Sequence, residues 1–426
     1  MIDAALEASN PYQATKNLVH LDGERLHVGP LTYDLSKRGK IYILGAGKAT
    51  FSIAKALEEV LGDKIMEGLI VLKKGKTGTL SRIRIIEASH PIPDKHGIRG
   101  AKEIMNLAKR AQEGDIVFAC ITGGSSALLP MPVDSITLSE KQRVSRLLLS
   151  SGASIFEINS VRKHLSKVKG GRLALAIFPA ELINLTVSDV INDPLDYITD
   201  PTVPDTSTFE DAIKTLRKYS LMKKVPPSVR TYLETADPRH ESPKDFGSMS
   251  YHNFILTNNE LACEAASAVA ESLGFKSMIL STMFDGESQE VGKTFASIGK
   301  EIRKYQRPIQ PPCVLIGGGE TVVTLKRNFG QGGPNQEFVV SAILNLNGQE
   351  NFIVVGLDTD GTDGPTPVTG AMADAFTIAS AKAKGVNLHE SLKDHKVLPA
   401  LVSSDEIILT GQTGTNVNDL KFLILR

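Results

Sequence analysis

Short apolar runs alternate with amphipathic stretches along the first part of the chain. The run at 40–47 is followed by a helical pattern at 48–61, and further apolar runs occur at 68–74 and 115–124. Continuous apolar runs that end in glycine are typical of parallel strands covered by helices on both faces. The pattern therefore predicts β-α-β units built on a mainly parallel sheet.

The alternation is interrupted by two turn-rich segments, 191–207 and 224–253, and a second alternating series then runs from 254 to 425. Proline, serine and charge dominate the second of these segments, as is typical of a domain boundary. We predict an N-terminal domain at 1–240 and a C-terminal α/β domain at 241–426. Two such domains facing each other would place a site in the cleft between them.

The totals agree with a globular protein of two or three domains. The 426 residues are 41% hydrophobic and 23% charged, which are ordinary values for a folded chain. Lysine plus arginine and aspartate plus glutamate number 48 each, so no global field favours nucleic acid or an anionic membrane. Any anion binding must be local.

Cysteine usage and the N-terminus indicate a cytoplasmic protein. Cys120, Cys263 and Cys313 are far apart and form no C-x-x-C pair, which favours a reducing compartment. The first 19 residues predict an amphipathic helix and lack the features of a signal peptide. No apolar run approaches the ~20 residues of a membrane helix.

The first candidate site follows the run at 40–47. Gly45 and Gly47 resemble the start of a dinucleotide fingerprint, but Thr50 replaces the third glycine. Lys48 falls in the first turn of the next helix, where free N–H groups and a movable charge suit a carboxylate or phosphate. A tight strand-to-helix turn with an exposed lysine explains the motif equally well.

The second candidate site is the loop Gly123-Gly124-Ser125-Ser126, after the run at 115–124. Small residues let backbone amides approach an anion, and serine hydroxyls can donate to it. The sequence differs from the G-x-S-x-G elbow of hydrolases. An anion cradle is therefore the preferred hypothesis over a nucleophile, with a plain glycine turn as the alternative.

Charged residues cluster in the next two segments. Arg162, Lys163, Lys167, Lys169 and Arg172 occur within eleven residues, and the glycine pair before Arg172 could turn Lys169 and Arg172 toward a cleft. Part of this charge is expected to be solvated surface. His164 is expected to be a hydrogen-bonded structural residue.

Acidic residues follow the strand predicted near residue 185. Asp189 and Asp193 come just past its end, a standard location for carboxylates that bind Mg²⁺ or orient a nucleophile. Asp200 and Asp205 are expected to be turn or capping residues.

The second half has polar loops at strand ends. Gly317, Gly318, Gly319 and Glu320 are predicted to form a phosphate-sized nest after a strand, with a further strand at 321–326. The amides of Asn335 and Gln336 open a helix and suit a hydroxyl or carboxylate. Asn416 lies in a polar loop between two strands.

The segment from Asp358 to Asp363 resembles a calcium loop only superficially. An EF-hand requires glutamate at its twelfth position, which here is Thr369, and the segment follows a strand. Two interpretations remain. Either Asp358, Asp360 and Asp363 all reach the site, or Asp363 caps the following turn and only the first two do.

Nine segments, in this order, resemble the glycerate 2-kinase family, whose C-terminal part is called the MOFRL domain. They are 45–50 (GAGKAT), 90–97 (HPIPDKHG), 121–132 (ITGGSSALLPMP), 157–174 (EINSVRKHLSKVKGGRLA), 188–205 (SDVINDPLDYITDPTVPD), 317–325 (GGGETVVTL), 332–338 (GGPNQEF), 358–366 (DTDGTDGPT) and 413–420 (TGTNVNDL). The resemblance implies two α/β domains, the first Rossmann-like, with a MOFRL region at about 310–426 and a site in the cleft.

The resemblance also implies an activity and roles for residues. It implies phosphorylation of D-glycerate at the 2-hydroxyl, with ATP as co-substrate and Mg²⁺ or another divalent cation. Lys48, which matches the family's lysine, is then a substrate or transition-state contact. From the position of the strand-end carboxylates themselves, Asp189 is a candidate base, and Asp189 or Asp193 is expected to hold the metal. Residues expected at substrate or phosphate are Gly47, Gly123, Gly124, Ser125, Ser126, Asn159, Arg162, Lys169, Arg172, Asn335 and Gln336. Residues expected at the nucleotide are Gly317, Gly318, Gly319, Glu320, Asp358, Asp360, Asp363 and Asn416.

One departure from the family affects the substrate site. Many bacterial relatives carry arginine where this chain has Pro334. We expect Arg162, Lys169 or Arg172 to supply that charge.

The remaining expectations concern partners and rival functions. D-Glycerate and ATP are the expected small-molecule partners of a monomer or homodimer, with no nucleic acid and no membrane. A nicotinamide-dependent hydroxypyruvate reductase is the enzyme rival, and Thr50 spoils the fingerprint that it needs. A non-catalytic two-lobed binding protein would explain the glycine loops but has less need of strand-end carboxylates.

Overall fold

The structure is a computed structural model that describes residues 1–75, 78–325 and 329–426. Its strands in chain order are β1 (Val19–Asp22), β2 (Arg25–Val28), β3 (Leu31–Asp34), β4 (Ile41–Ala46), β5 (Ile65–Lys73), β6 (Ile83–Ala88), β7 (Ile116–Ile121), β8 (Glu181–Val187), β9 (Tyr251–Thr257), β10 (Lys276–Phe284), β11 (Cys313–Gly319), β12 (Phe352–Asp358), β13 (Gly370–Asp374), β14 (Ile407–Ile408) and β15 (Asp419–Leu425).

The helices in chain order are α1 (Ile2–Ala8), α2 (Pro11–Leu18), α3 (Thr50–Leu61), α4 (Lys95–Ala108), α5 (Ser125–Leu128), α6 (Leu138–Leu149), α7 (Ile155–His164), α8 (Arg172–Ile177), α9 (Leu195–Ile198), α10 (Phe209–Lys218), α11 (Pro227–Thr235), α12 (Asn259–Ser272), α13 (Ser288–Tyr305), α14 (Pro334–Asn345), α15 (Thr377–Ala383), α16 (Leu388–Lys393) and α17 (Val397–Ser404). None of the helices in the described ranges is both long enough and apolar enough to cross a membrane.

The chain forms two compact units. The N-terminal unit comprises Pro11–Val187 and Asp193–Leu256, and the C-terminal unit comprises Met1–Asn10, Ser188–Asn192 and Thr257–Arg426. The short segment Ser188–Asn192 therefore belongs with the second unit, although it interrupts the first in sequence.

A six-stranded sheet in the order β6-β5-β4-β7-β8-β9 forms the core of the N-terminal unit. The pairings β4–β5, β4–β7, β5–β6 and β7–β8 are parallel, which confirms the predicted parallel sheet. Since β4 and β7 are neighbours, the loops that follow them leave the same edge of the sheet side by side. This position is a common ligand site in parallel α/β sheets.

Helix α4 shows how the sequence builds one face of this sheet. The Asp94 carboxylate caps the helix by accepting from the Gly97 N–H at 3.0 Å. Ile104, Met105 and Ala108 share the face that packs into the core, and this 3–4-residue spacing is the apolar stripe of an amphipathic helix. Burying side chains of this kind stabilises the unit by roughly 1.5–3 kcal/mol for each large one.

A helical cluster of α6, α7, α10 and α11 forms a second core in the same unit. Val144, Leu148, Val161, Leu216 and Val229 pack together in this core. Helices α6 and α7 both begin with a capping box, which fixes where each of them starts. The cluster thereby holds two charged helices in defined positions.

The sheet of the C-terminal unit is mixed. Its order is β10-β11-β15-β12-β13-β14, with β10–β11 parallel and the pairings β11–β15, β12–β15, β12–β13 and β13–β14 antiparallel. Helices α13 and α14 pack on it, and Phe295, Phe338, Leu315 and Leu423 are buried in the core.

The predicted strand at 321–326 is wrong over its described residues, 321–325. Only Val322 forms a bridge there, to Glu287, and Lys326 lies outside the described residues. The ladder with β15 ends at Gly319 because its partner Asp419 is the first residue of β15. The predicted N-terminal helix is two helices, α1 and α2, separated at Ser9 and Asn10.

Candidate active site

The loops after β4 and β7 are joined by hydrogen bonds. The Lys48 N–H donates to the Gly123 carbonyl at 2.8 Å, and the Thr122 N–H donates to the Ala46 carbonyl at 3.0 Å. The Ala49 N–H donates to Thr122 Oγ1 at 3.2 Å. The two sequence-predicted loops thus form one double loop at the carboxyl edge of the sheet.

Glycine is required where these two loops touch. Gly47 has φ 145°, and a Cβ there would lie 2.0 Å from Thr122 Oγ1. Gly124 has φ 87°, and a Cβ there would lie 3.3 Å from the His90 ring. L-residues rarely adopt such φ values, so both glycines keep the double loop compact and bring His90 against it.

Thr50 occupies the position of the third glycine of a dinucleotide fingerprint. Its hydroxyl donates to the Cys120 carbonyl at 2.9 Å, and its Cγ2 fills the space beside Gly45. Helix α3 is therefore fastened to the neighbouring strand β7 by a side chain. In the fingerprint, the third glycine lets the helix pack closely on the strand. In this chain, the Thr50 hydrogen bond joins the helix to the strand instead.

A cavity of about 390 Å³ opens beside the double loop, within the N-terminal unit. The loop residues Gly124 and Ser126 form one wall, the segment His90–Pro93 a second, and one face of α6 a third. We call this space the cationic cavity, because the charged side chains on its lining are all basic. They are Lys141, Arg146, Arg162 and Lys169.

Lys169 and Arg162 are two of the predicted residues on this lining. The Lys169 Nζ donates to Asp200 Oδ2 at 2.8 Å, and the Gly170 N–H donates to Asp200 Oδ1 at 2.5 Å. Burial lowers the pKa of Arg162, although the Asp200 carboxylate opposes this shift. Asp200 is thus a buried ion-pair partner, and the expected turn or capping role was incomplete.

Arg172 is engaged differently from the other predicted cations. Its Nη1 donates to the carbonyls of Lys163 at 3.3 Å and Lys169 at 3.0 Å, and its Nη2 donates to the His240 carbonyl at 2.7 Å. A guanidinium held by three carbonyls braces the turn after α7. Arg172 therefore does not line the cavity, whereas Lys169 and Arg162 do.

A buried ion-pair network supports the same turn. The Lys163 Nζ contacts Asp196 and donates to Asp205 Oδ1 at 3.1 Å. Although burial opposes it, the carboxylates of Asp200, Asp205 and Asp196 raise the pKa of Lys163. Asp205 is therefore more than the expected turn residue.

Helix α7 also carries His164 and Asn159, two residues that the sequence analysis discussed. His164 is buried between the Ser160 carbonyl at 2.6 Å and Glu241 Oε1 at 2.7 Å, which confirms its predicted structural role. Asn159 is half-buried on the same helix.

The predicted acidic residues lie in the turn after β8. Asp189 belongs to the short segment counted with the C-terminal unit, and Asp193 is the first residue of the returning N-terminal unit. Both are half-buried. The backbone has positive φ at Asn192 and Asp193, 67° and 48°, so this turn is sharp where the chain passes from one unit to the other.

In the C-terminal unit, the predicted glycine nest lies inside a strand. Gly317, Gly318 and Gly319 are the last residues of β11 and pair with Lys421, Leu420 and Asp419 of β15. The sequence prediction placed them after the strand. The ladder continues through them because β15 supplies partners as far as Asp419, and the loop begins only at the exposed Glu320.

The segment after β12 is built from local hydrogen bonds. The Asp360 N–H donates to Asp358 Oδ1 at 2.9 Å, and the Thr362 N–H donates to Asp360 Oδ1 at 2.9 Å. Burial raises the pKa of Asp358 to about 8, with the negative charges of Asp360 and Asp419 acting in the same direction. A raised pKa of this kind marks a place where a cation or a proton would be stabilised.

Asp363 caps helix α14 from a distance in sequence. Its carboxylate accepts from the N–H groups of Asn335 at 3.0 Å and Gln336 at 2.9 Å, and from the side-chain amides of the same two residues at 3.2 Å and 2.9 Å. All three side chains are buried. Pro334 begins the helix, a position that suits proline because its missing N–H would have no partner there.

A buried polar network continues from this cap. Asn335 Nδ2 also donates to Asp419 Oδ1 at 2.6 Å, and the Lys421 Nζ donates to Asp419 Oδ2 at 2.8 Å. Asn416 accepts from the Asn418 N–H at 3.1 Å in the loop before β15. The structure thus brings Asn335, Gln336 and Asp363 together.

Among the residues on the cavity lining that were not predicted as site residues from the sequence are His90, Lys141 and Arg146. His90 stands over Gly124, and Lys141 lies on α6. The motif at 90–97 was noticed only as part of the resemblance. Lys141 occurs in the polar run SEKQR, and nothing in that run distinguishes it from a surface residue.

No group of three or more histidine, cysteine, aspartate or glutamate side chains that could hold a metal ion occurs within the described ranges. Mg²⁺ in phosphate-transfer sites is usually bound through one or two carboxylates together with substrate phosphates. Asp189 and Asp193 supply hard oxygen donors of the type that Mg²⁺ prefers.

Comparison with known protein families agrees with the two-part α/β architecture. Residues 1–234 match a family described as a domain of unknown function, DUF4147, and residues 313–419 match the MOFRL family. A glycerate 2-kinase from Pyrococcus horikoshii is 41% identical, with 100% of this chain and 96% of that protein covered. The chain therefore belongs to the glycerate 2-kinase family.

Two further similarities bear on function. The crystal structure of a glycerate kinase from Thermotoga maritima matches with a TM-score of 0.88 at 38% identity, covering 100% of this chain and 97% of that one. A protein from Agrobacterium vitis, provisionally named a hydroxypyruvate reductase, is 36% identical over 91% of this chain and 100% of its own length.

Proposed function

We propose that the protein transfers the γ-phosphoryl group of ATP to the 2-hydroxyl of D-glycerate, giving 2-phospho-D-glycerate and ADP. The observation that supports this most directly is the double loop, in which the Lys48 and Gly123 turns are hydrogen-bonded at the sheet edge. It adjoins a cavity lined by basic side chains. Both features belong to a chain that is 41% identical over its full length to a glycerate 2-kinase.

Phosphoryl transfer requires positioning and charge more than covalent chemistry. In our proposal the cationic cavity holds the hydroxy acid, with Arg162 and Lys169 providing positive potential near the carboxylate. Lys48, in the turn beside Gly123, faces the phosphoryl oxygens as their charge develops. Ser125 and Ser126 donate hydroxyls from the same loop.

Asp189 is our candidate base for the 2-hydroxyl proton. Asp189 and Asp193 are also the residues that we propose for a divalent cation, which when bound would neutralise the phosphate charges of the nucleotide. In the C-terminal unit, Asp358, Asp360 and Glu320 are the residues proposed for the nucleotide. Asp363 is proposed to act indirectly, by fixing the helix that Asn335 and Gln336 open.

The name of the Agrobacterium vitis relative favours a second candidate, reduction of hydroxypyruvate by a nicotinamide cofactor. Two observations weigh against it. Thr50 replaces the third glycine of the fingerprint, and β5 ends at Lys73, where a ribose-binding acid would be expected for NAD. Phosphorylation is therefore the function that we propose.

One experiment separates these functions. The purified protein is given D-glycerate, ATP and Mg²⁺, ADP release is followed, and the product is offered to enolase, which consumes 2-phosphoglycerate directly. We expect ADP release with enolase-sensitive product. Oxidation of NADH or NADPH by hydroxypyruvate without ADP release would instead establish the reductase, and binding without either reaction would favour a binding protein.

A further inference from the structure

One lysine in the cationic cavity has a buried ammonium without a counter-charge of its own. Lys141 is 6% exposed, and its Nζ has no hydrogen-bond partner among the described residues. Lys169 in the same cavity, by contrast, donates to Asp200 at 2.8 Å. Because burying an unpaired ammonium is costly, the position of Lys141 calls for an anion from outside the chain.

A rigid helix holds Lys141 in this position. Glu140 closes the capping box with Thr137 and accepts from Ser228 Oγ at 2.5 Å. The next residue after Lys141, Gln142, donates to the Pro93 carbonyl at 2.7 Å. These bonds tie the start of α6 to α11 and to the facing segment, so the backbone that carries Lys141 is held in place.

The surroundings of Lys141 carry an excess of positive charge. Burial lowers its pKa to about 7, the charges of Lys169, Arg162 and Arg172 act in the same direction, and only Asp200 opposes them. His90 and Arg146 also face the cavity, from the opposite wall and from the same helix. An entering anion would therefore find a surplus of cations and would restore the proton on Lys141.

A carboxylate suits this position better than the transferred phosphoryl group. The phosphoryl group passes between two substrates, so its cations must stand where both can reach, which is the role that we propose for Lys48 on the double loop. Lys141 is buried on the lining of a cavity that also includes Gly124 and Ser126 of that loop. It is placed to hold the part of the acceptor that does not react.

We propose that the ammonium of Lys141 binds the carboxylate of the hydroxy-acid substrate and so selects acidic acceptors. This inference rests on the proposed function, because it takes the phosphoryl acceptor as the ligand. Binding adds one hydrogen-bonded ion pair inside the cavity and brings one proton from solvent to Nζ whenever the amine is neutral beforehand.

Lys141→Met tests the proposal, with Arg143→Met as the matched control. Methionine keeps the length of the stem and removes the charge. Arg143 is exposed on the same helix, donates to the Lys224 carbonyl at 3.1 Å, and does not line the cavity. Titration calorimetry with D-glycerate should show binding weakened roughly 10- to 100-fold in Lys141→Met and within about twofold of wild type in Arg143→Met.

Proton uptake provides a readout that a purely structural role would not move. At pH 8, binding of D-glycerate to the wild-type protein should take up protons, seen as a binding heat that depends on the ionisation enthalpy of the buffer. Lys141→Met should lose this dependence, and Arg143→Met should keep it. Inorganic phosphate, the second probe, should bind equally to wild type and Lys141→Met.

The outcomes distinguish this inference from the proposed function. If the wild type phosphorylates D-glycerate but Lys141→Met leaves both its affinity and its KM unchanged, the inference fails and the function stands. If D-glycerate binds in a Lys141-dependent manner without ADP release, the proposed function fails, whereas the assignment of Lys141 to the carboxylate of the hydroxy acid stands. Loss of phosphate affinity alone would assign Lys141 to the phosphoryl group and overturn the proposal. A wild-type protein that binds neither D-glycerate nor inorganic phosphate would also overturn it.

Discussion

The backbone N–H of Lys48 donates to the carbonyl of Gly123 at 2.8 Å, so the first turns after β4 and β7 form one unit. This contact uses only the main chain of Lys48. A substitution of the Lys48 side chain leaves this backbone hydrogen bond in place, so its effects on chemistry and on folding can be measured separately.

Lys48→Ala should lower kcat/KM for glycerate phosphorylation by roughly 10²–10³-fold, the effect of removing one group that stabilises transition-state charge. The melting temperature should stay within about 2 °C of wild type, since the Gly123 contact remains. A coupled ADP assay and circular dichroism check both expectations. Lys55→Ala, on the exposed face of α3, is the control, and an active Lys48→Ala protein would remove Lys48 from the site.

Lys141→Met should stabilise the protein most at and below neutral pH. Because the folded-state pKa of Lys141 is lowered from 10.5 to about 7, the unfolded chain binds a proton between these values and the folded chain does not. Wild-type stability therefore falls as pH drops from about 10.5 to 7 and then levels off. The variant escapes this loss, on the order of 5 kcal/mol.

Thermal unfolding of both proteins between pH 6 and 10.5 measures the difference. We expect it to be largest below pH 7 and to vanish near pH 10.5. A difference that does not change with pH would mean that the amine is not desolvated in the folded state.

Asp363→Ala should destabilise the C-terminal unit by about 3–4 kcal/mol. The substitution leaves the backbone N–H groups of Asn335 and Gln336 without an acceptor in a buried place, and it removes one of the two acceptors of each of their side-chain amides. Hydrogen exchange at the first turn of α14 should accelerate. Asp394→Ala removes an exposed acid of the same unit and should change little, and an equally small effect at Asp363 would refute the capping role.

Asp358→Asn should stabilise the C-terminal unit at alkaline pH. The folded-state pKa of Asp358 is raised from 3.8 to about 8, so the folded chain keeps a proton that the unfolded chain releases in this window. Wild-type stability therefore declines as pH rises from about 4 to 8. Asparagine stays neutral and can still accept from the Asp360 N–H.

Melting temperatures of Asp358→Asn and wild type should agree near pH 4 and diverge by several degrees above pH 8. Asp394→Asn controls for the loss of one negative charge. Equal melting curves at pH 9 would show that Asp358 is ionised there without penalty. If Asp358 contacts the nucleotide as proposed, the stabilised variant should also have a higher KM for ATP.

The hydrophobic pattern of the sequence was sufficient to predict the parallel sheet of the N-terminal unit. The runs around β4, β5 and β7 are apolar on both faces and end in glycine or charge, so parallel strands could be predicted from local sequence. The hairpins β1–β3 were overlooked, although Gly23 and Gly29, both with positive φ, provide turn signals of the expected kind.

Other features depend on partners that are distant in the chain. Whether Gly317–Gly319 form a strand or a loop depends on β15, about one hundred residues later, and no local pattern contains that information. Asp363 caps a helix that begins at Pro334, before it in the chain, so the acid lacks the usual spacing of an N-cap. Lys141 looks like a surface lysine until the surrounding walls are in place.

The positions of the three cysteines make them natural probes for the unfolding of each unit. Cys120 is buried in β7 of the N-terminal unit, whereas Cys263 and Cys313 are buried in α12 and β11 of the C-terminal unit. Burial raises the pKa of each thiol, that of Cys263 to about 12, and a thiol reagent attacks only the exposed thiolate. Mass mapping of labelled peptides over time would thus record the unfolding of each unit separately, in the unmodified protein and without an engineered probe.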